Sequence, residues 1–210
     1  IFARPLMATQ TVSYMTALTD IKDLELQRIL NAFLIAGVQV YQEVKMGNGL
    51  DLTAASNASG DSQLNLDIIA DTYFQDAIAS TTQVRYIISE ERPNLQSYGK
   101  GEYSVSLDPL DGSKSAAVGI PPGAIFGVFK DAQQISDFNG KHIVMGGFFV
   151  FSINLELYFS LHGTATKGVW DADTNRWKFS ALPAMPTKKM IAINASNRTK
   201  WDNWLQDYFD

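Results

Sequence analysis

Apolar residues recur every three or four positions in two early stretches of the chain, which is the spacing of one face of an α-helix. The first stretch predicts a helix over residues 19–44, capped at its start by Asp20. The second predicts a helix over 64–78, and the glycine- and asparagine-rich segment 46–57 predicts a loop between them. The residues expected to face the core are Leu26, Leu30, Phe33, Leu34 and Tyr41 in the first helix, and Leu66, Ile69, Ala70, Tyr73 and Ala77 in the second.

Beyond residue 83 the pattern changes to short runs rich in β-branched and aromatic residues, which is typical of strands. Helices followed by strands indicate a layered α/β or α+β fold. We treat residues 1–210 as one unit, with an internal boundary near 180–190 left open. The predicted strands are 84–88, 103–107, 124–129 and 189–194, with one or two more in 144–161, a hairpin over 169–179 and a final helix from Lys200.

Acidic residues follow two of these predicted strands. Glu90 and Glu91 come after the first strand, and Asp108 and Asp111 come after the second. A rigid sheet holds strand-end side chains at the edge of a cleft, and carboxylate oxygens are the ligands that hard divalent cations prefer. Taken alone, the Asp-Pro-Leu-Asp-Gly string is as compatible with a surface turn as with a site, and a Glu-Glu pair is usually solvated. Their joint occurrence after two strands predicts a site for Mg²⁺, with Mn²⁺ as the alternative ion, and a phosphatase chemistry.

The turn after the second acidic pair is suited to bind phosphate. The carbonyl of Leu110 can face the same cation as the acids on either side of it, because the proline between them fixes the backbone. Gly112 allows close approach, and the amides of Gly112 and Ser113 can bind phosphate oxygens. Lys114 can add positive charge there or can be solvated, and both interpretations stay open.

Charge and composition narrow the function classes. The net charge is −5, from 17 Lys and Arg against 22 Asp and Glu, which argues against nucleic acid as a partner. No cysteine is present, so a disulfide, a zinc-thiolate centre and a cysteine nucleophile are excluded within these residues. No run of about 18 apolar residues predicts a membrane span. The first residues resemble neither a secretory signal nor a clear transit peptide, so we expect a cytoplasmic protein, with a plastid location left open.

The run Ser89-Glu90-Glu91, followed by the string Asp108-Pro-Leu-Asp-Gly-Ser113, resembles the fructose-1,6-bisphosphatase family, which includes the sedoheptulose-1,7-bisphosphatases. The likeness begins near Asp20 and continues in Gly60-Asp61, Leu66-Asp67, Gly123–Gly127 and Ile193-Asn194. It implies a five-layer α-β-α-β-α sugar-phosphatase fold. It also implies a Mg²⁺-dependent enzyme that removes the 1-phosphate of fructose 1,6-bisphosphate and assembles as a homodimer or homotetramer.

The resemblance assigns roles to single residues. The implied metal ligands are Glu90, Glu91, Asp108, the carbonyl of Leu110, and Asp111. The implied catalytic acids, which position and deprotonate the attacking water, are Asp61, Asp67 and Glu91. The implied substrate-binding residues are Gly112 and Ser113 for the departing phosphate and Asn194 for the retained one, and Lys114 is a further candidate from its position beside them.

The chain departs from the family pattern in several places. Lys114-Ser115 stands where the family usually has Ser-Asn, and Asn194 is followed by Ala-Ser rather than Glu-Gly. Members inhibited by AMP carry Thr-Gly-Glu before the first helix and Lys-Tyr before the Asp-Pro strand. Here the corresponding residues are Asp23-Leu24-Glu25 and Glu102-Tyr103, so we expect no AMP inhibition. The family's C-terminal third, with a further acidic ligand, is not among these 210 residues.

Other interpretations stay open. Sedoheptulose 1,7-bisphosphate is nearly as compatible with these residues as the fructose substrate. An inositol-monophosphatase-like enzyme is a second alternative, although Leu107 and Ser113 replace the Trp and Thr of its motif. A catalytically inactive regulatory relative is a third. The first predicted helix also carries apolar residues beyond its main face, which suggests a subunit contact or packing against the family's C-terminal third; they are Ile29, Ile35, Val38 and Val40.

Overall fold

A mixed eight-stranded sheet with two long helices against one face is the main feature of the fold. A computed structural model describes residues 23–56, 62–161, 163–182 and 198–209. The helices are α1 Leu24–Met46, α2 Asn65–Ser80, α3 Ser113–Ala116 and α4 Asn203–Tyr208. The strands are β1 Leu52–Ser56, β2 Ser62–Leu64, β3 Val84–Ser89, β4 Gln96–Ser97, β5 Tyr103–Asp111, β6 Gly123–Lys130, β7 Ile143–Phe151, β8 Leu155–Leu161, β9 Thr164–Asp171 and β10 Arg176–Ala181.

The order of the strands confirms the predicted α/β class. The main sheet runs β10-β9-β8-β7-β6-β5-β3-β4, while β1 and β2 form a separate antiparallel pair. In the main sheet β3 and β5 are parallel, and the remaining neighbours are antiparallel. The apolar stretch predicted to hold one or two strands holds two, and the predicted hairpin is the β9–β10 pair.

Helix α1 begins one turn later than the sequence predicted. The cap is Asp23, whose Oδ1 accepts hydrogen bonds from the amides of Glu25 and Leu26 at 3.0 Å each. Asp20 lies outside the described residues. The helix ends at Gly47, where φ is +65°, a conformation that glycine adopts without a side-chain clash.

The predicted loop over 46–57 is wrong in its second half. Residues 52–56 form β1, which pairs antiparallel with β2. The pairing partner lies beyond the loop, so local glycine and asparagine content could not reveal it. The predicted strand over 189–194 and most of the boundary near 180–190 lie outside the described residues. In the described part of the chain, no helix is long and apolar enough to cross a membrane.

The core lies between the two long helices and the sheet. Phe33 of α1 stacks on Phe126 of β6 with ring centroids 4.0 Å apart, and Phe74 of α2 lies 5.9 Å from Phe149 of β7. All five residues predicted for the inner face of α1 are buried. Full burial of each large apolar side chain contributes about 1.5–3 kcal/mol, so this aromatic layer holds both helices on the sheet.

The additional apolar residues of α1 do not support a subunit contact. Ile29, Val38 and Val40 are each at most 2% exposed within the single chain, and Ile35 packs against the same core. An assembly of two or four copies therefore stays a prediction from the family resemblance alone.

Helix α2 buries Leu66 and Ala70 as the sequence predicted, but the centre of its inner face is rotated from the predicted one. Ile69, Tyr73 and Ala77 are only partly buried. The buried positions are Leu66, Ala70, Phe74 and Ile78, together with the polar residues Asp67, Asp71 and Gln75. The apolar pattern identified only part of the inner face, because polar side chains form the rest of it and make hydrogen bonds within the fold.

Replacing Phe149 with Ala is expected to lower the free energy of unfolding by about 3–5 kcal/mol, because the ring fills the space between α2 and the sheet. Its neighbour Phe148 points to the opposite face and is 46% exposed. Phe148→Ala is therefore the matched control, with an expected loss below about 2 kcal/mol. Denaturant unfolding measures both. Equal losses would contradict the one-sided packing of helices on β7.

Candidate functional site

The acidic segments leave the sheet side by side because β3 and β5 are parallel. Ser89, the last residue of β3, is paired with Leu107 of β5. The amide of Glu90 then donates a 3.0 Å hydrogen bond to the carbonyl of Leu107, which extends the parallel ladder by one step. The carboxyl ends of parallel strands meet at one edge of a sheet, so the two acidic groups are brought together there.

The second acidic group lies on the strand itself, which is a correction to the predicted strand end at residue 107. Strand β5 continues to Asp111, with Asp108 opposite Ile125 and Asp111 opposite Gly123. The register shifts between these two pairs. Pro109 has no amide hydrogen to donate to the ladder, and such interruptions are typical of bulges. The irregularity lies between the two acids of β5.

A cavity of about 270 Å³ lies at this edge. Its lining residues are Asp67, Glu90, Glu91, Asp108, Leu110, Asp111, Gly112, Ser113, Lys114 and Ser115. The structure thus brings nearly all the sequence-predicted site residues to one place. Asp61 and Asn194 are the exceptions, because they lie outside the described residues.

Asp67 approaches the cavity from α2. Its side chain is buried, and its Oδ2 accepts a 2.7 Å hydrogen bond from the amide of Leu64. Its Oδ1 has no hydrogen-bond partner in the described part of the chain. Burial raises the pKa of this carboxyl, with repulsion from Glu90 adding to it; the Leu64 amide, the Ser113 hydroxyl and the charge of Lys114 oppose the rise. An acceptor with one unsatisfied buried oxygen is suited to a cation or to a proton from water.

Asp108 carries the largest electrostatic penalty of the site. Burial, followed by repulsion from Glu90 and a hydrogen bond with it, raises the pKa of Asp108 to about 7. The charge of Asp111 adds to the rise, and the amide of Leu110, 3.2 Å from Asp108 Oδ1, opposes it. Neighbouring carboxyl groups that resist ionising together are relieved by a nearby cation.

The donor set fits a hard divalent cation in its chemistry. It offers carboxylate and carbonyl oxygens in a polar cavity, and it contains no sulfur or imidazole ligand. Within the described ranges, however, no three acidic or histidine side chains already surround a single point as metal ligands. The cavity therefore brings the oxygens near one another without forming a complete coordination sphere. This is expected of carboxylates that repel each other.

A tight turn forms the other wall of the cavity. Gly112 has φ +79° and begins the single turn of α3, and its carbonyl accepts from the amides of Ser115 and Ala116 at 2.9 and 3.1 Å. The first amides of a helical turn point outward from its start, here at the cavity. Lys114 is exposed on the cavity wall, and its charge lowers the pKa of Asp67. This position is compatible with contact to an anionic ligand.

A layer of polar residues that apolar spacing does not reveal lies behind the Glu90-Glu91 turn. Asp71 of α2 binds Ser89 and Arg92, and Gln75 supports it. The available signal was spacing: Asp67, Asp71 and Gln75 recur every four residues and so share one side of the helix. Apolar periodicity does not detect such a set.

Comparisons with known proteins agree with the resemblance in the sequence. Residues 9–181 match the sequence model of the family described as "Fructose-1-6-bisphosphatase, N-terminal domain". The chain is 30% identical over 196 residues to a class 1 fructose-1,6-bisphosphatase of Rhodobacter capsulatus, an alignment that covers 89% of this chain and 58% of the relative. It is 33% identical over 174 residues to a class 1 fructose-1,6-bisphosphatase of Cereibacter sphaeroides, covering 78% and 52%.

The fold matches a solved structure of the same kind. The holo form of Leishmania major fructose-1,6-bisphosphatase superimposes with a TM-score of 0.84 at 22% identity, over 94% of this chain and 68% of that one. The chain spans just over half the length of the two bacterial relatives.

Gly112→Ala is expected to lower the free energy of unfolding by about 1–2 kcal/mol, because a side chain is strained at its positive φ. The space itself is open, since a Cβ there would lie 3.9 Å from its nearest neighbour, the Cα of Pro122. Gly163, in the β8–β9 turn, has φ +82° and no neighbour within 4 Å, so Gly163→Ala is the matched control.

Both variants should show the same loss in denaturant unfolding, but only Gly112→Ala should weaken binding of inorganic phosphate measured by calorimetry. Equal phosphate binding by the two variants would contradict a role of the Gly112 turn in binding phosphate.

Without divalent cations, the contribution of Asp108 to stability should fall as the pH rises from about 4 to about 7. The folded protein holds the Asp108 proton more tightly than the unfolded chain does, so the penalty is absent below the ordinary value of 3.8 and complete above the folded pKa of about 7. Asp108→Asn removes this part of the slope and should be more stable than the wild type at pH 8, by about 1–3 kcal/mol.

Asp171→Asn provides the control of opposite sign. The ion pair with Lys178, at 2.6 Å, lowers the pKa of Asp171 to about 2, so its loss should destabilise the protein at pH 8. Thermal unfolding in chelator at pH 4, 6 and 8 measures both variants. A wild type more stable than Asp108→Asn at pH 8 would contradict the repulsion described for Asp108.

Proposed function

Because the chain belongs to the fructose-1,6-bisphosphatase family, we propose that the protein is a Mg²⁺-dependent phosphomonoester hydrolase that converts fructose 1,6-bisphosphate to fructose 6-phosphate and phosphate. The observation that carries the proposal is the cavity in which acids from β3, β5 and α2 meet the glycine turn before α3. A cation site beside a phosphate-sized turn is the arrangement that phosphoryl transfer requires.

In this proposal the residues at the two strand ends hold the cations. They are Glu90, Glu91, Asp108, Asp111 and the carbonyl of Leu110, with Mg²⁺ as the expected ion and Mn²⁺ as the alternative. Bound cations would supply positive charge to the phosphoryl group as it is transferred. Support comes from the raised pKa of Asp108, because burial and the repulsion by Glu90 make a compensating positive charge favourable there.

Asp67 would take the proton from the attacking water. Its Oδ1 is buried and without a partner in the described part of the chain, and burial has raised the pKa of the carboxyl. A base with a raised pKa holds a proton more readily at neutral pH than an ordinary aspartate does. Glu91 would orient the water from the end of β3, and Asp61 would assist from outside the described residues.

The turn at Gly112 would hold the departing phosphate. The amides of Gly112 and Ser113 donate hydrogen bonds without adding a side chain, and Lys114 adds one positive charge from the cavity wall. Its charge already reaches Asp67, so the same ammonium can neutralise phosphate oxygens beside the base. Asn194 is proposed to contact the retained phosphate.

The proposal is tested by phosphate release from the purified full-length protein with and without Mg²⁺. Asp108→Ala should lower kcat by more than a factor of about 100, or roughly 2.7 kcal/mol of barrier. Asp173→Ala, an exposed acid in the β9–β10 turn, is the control and should keep wild-type activity. A kcat within a factor of about 10 for Asp108→Ala would contradict the cation-ligand role.

The choice of substrate separates the remaining alternatives. Fructose 1,6-bisphosphate should be hydrolysed with a higher kcat/KM than inositol 1-phosphate. A preference for sedoheptulose 1,7-bisphosphate would move the protein to the other branch of the family. Hydrolysis of none of them, in a folded protein, would favour the inactive regulatory relative.

Asp23 and Glu102, which stand where AMP-inhibited relatives carry other residues, are engaged in contacts within this chain. Asp23 caps α1 with one carboxylate oxygen, and the other accepts a hydrogen bond from the hydroxyl of Tyr103. Burial tends to raise the pKa of Asp23, but these hydrogen bonds outweigh it and hold the pKa below its ordinary value. Lys130 pairs with Glu102 at 3.4 Å. The start of α1 therefore carries a resident negative charge that opposes a nucleotide phosphate.

AMP is expected not to inhibit the enzyme at concentrations up to about 1 mM, where its binding free energy would be only about 4 kcal/mol. The measurement is phosphate release at rising AMP, with the wild type compared to Asp23→Ser, which keeps a helix cap but removes the charge. Sub-millimolar inhibition of the wild type would contradict this interpretation.

A further inference from the structure

We infer that Asp71 is a positioning residue, which holds the Glu90-Glu91 turn in the geometry needed for cation binding. This inference rests on the proposed function. Asp71 does not line the cavity, so any effect on the cation acts through the residues that it contacts.

The carboxylate of Asp71 contacts the chain on both sides of the acidic pair. Its Oδ1 accepts a 2.6 Å hydrogen bond from the hydroxyl of Ser89, the residue before Glu90. Its Oδ2 forms a 2.6 Å ion pair with the guanidinium Nε of Arg92, the residue after Glu91. One buried carboxylate thus holds the two ends of a turn whose middle residues both face the cavity.

The hydroxyl of Ser89 connects Asp71 to the backbone of the turn. While it donates to Asp71, its oxygen accepts a 3.3 Å hydrogen bond from the amide of Glu91. The backbone of the turn is further held by the amide of Arg92, 3.3 Å from the carbonyl of Ser89. The direction in which Glu91 leaves the sheet therefore depends on where Asp71 places the Ser89 hydroxyl.

Asp71 is itself fixed from behind. It is 4% exposed, and its Oδ1 also accepts a 2.8 Å hydrogen bond from Gln75, one turn further along α2. The side-chain oxygen of Gln75 accepts a hydrogen bond from the hydroxyl of Tyr98. The backbone amide of Tyr98 donates in turn to the backbone carbonyl of Arg85 in β3. The network ties α2 to β3, the strand that ends in the turn.

Burial of a carboxylate is unfavourable unless its hydrogen bonds and charge are satisfied. An apolar residue at position 71 could fasten α2 to the sheet without that penalty. The charged network instead fixes direction, because hydrogen bonds and ion pairs are directional and apolar contacts are not. Residues that orient metal ligands in this way typically contribute 10–100-fold to metal affinity.

The test measures Mn²⁺ binding to the full-length protein by calorimetry, so that it does not depend on turnover. Asp71→Asn and Ser89→Ala are each expected to weaken binding by about 10–100-fold. Ser89→Ala changes no charge, so it separates positioning from a change in the electrostatic field. Ser89→Thr keeps the hydroxyl and should restore affinity to within about 3-fold of the wild type.

Asp76→Asn is the matched control, since Asp76 lies exposed on the same helix and the substitution changes the charge equally. It should bind Mn²⁺ as the wild type does. Thermal unfolding is recorded for each variant. Folded Asp71→Asn and Ser89→Ala proteins that bind Mn²⁺ with wild-type affinity would overturn the inference, even if their melting temperatures fall, because that result would show a purely structural role.

Phosphate release from fructose 1,6-bisphosphate is measured in parallel. A wild type that binds Mn²⁺ but releases no phosphate would overturn the proposed function, while the Mn²⁺ affinities of the variants would still decide the role of Asp71. A wild type that binds no Mn²⁺ would overturn both. If Asp71→Asn does not fold, Ser89→Ala and its Thr counterpart carry the test.

Discussion

The parallel pairing of β3 with β5 is the constraint on which the site depends. Every other neighbouring pair in the main sheet is antiparallel, and antiparallel neighbours end at opposite edges. In the parallel pair, the residues after Ser89 and Leu107 leave the sheet at the same edge. The bulge at Pro109 and the first turn of α2 then complete a cavity whose acids come from distant parts of the sequence.

This arrangement places mutually repelling groups in a buried position. Burial and the neighbouring charges raise the pKa of Asp108 to about 7 and raise that of Asp67. The aromatic layer beneath the helices offsets the cost: Phe33, Phe74, Phe126 and Phe149 are almost fully buried and in mutual contact. The apolar face of the sheet thus stabilises a fold whose carboxyl edge is electrostatically strained, a division of roles that is common at functional sites.

The network around Asp71 orients the Glu90-Glu91 turn, which lies at the same edge of the sheet. The cavity residues are mainly two pairs of acids and a turn, and the backbone of the Glu90-Glu91 turn is held from outside the cavity. The carboxylate of Asp71 reaches Ser89 and Arg92 at 2.6 Å each and does so from a helix packed on the sheet. Directional contacts of this kind connect the packing of α2 to the chemistry proposed for the cavity.

By itself, the sequence determined the elements with a strong local period, the candidate acids and the family. The inner face of α1, the run of strands after residue 83 and the acids at residues 90, 91, 108 and 111 follow from apolar spacing and motif, which are local properties. Only the tertiary structure decided that residues 52–56 form a strand and that α2 turns Asp67, Asp71 and Gln75 inward. It also decided that the carboxylate of Asp23 accepts a hydrogen bond from the hydroxyl of Tyr103. Each of these depends on a partner that apolar spacing does not identify, because the hydrogen bonds and burial that such a partner supplies are decided only when the chain folds.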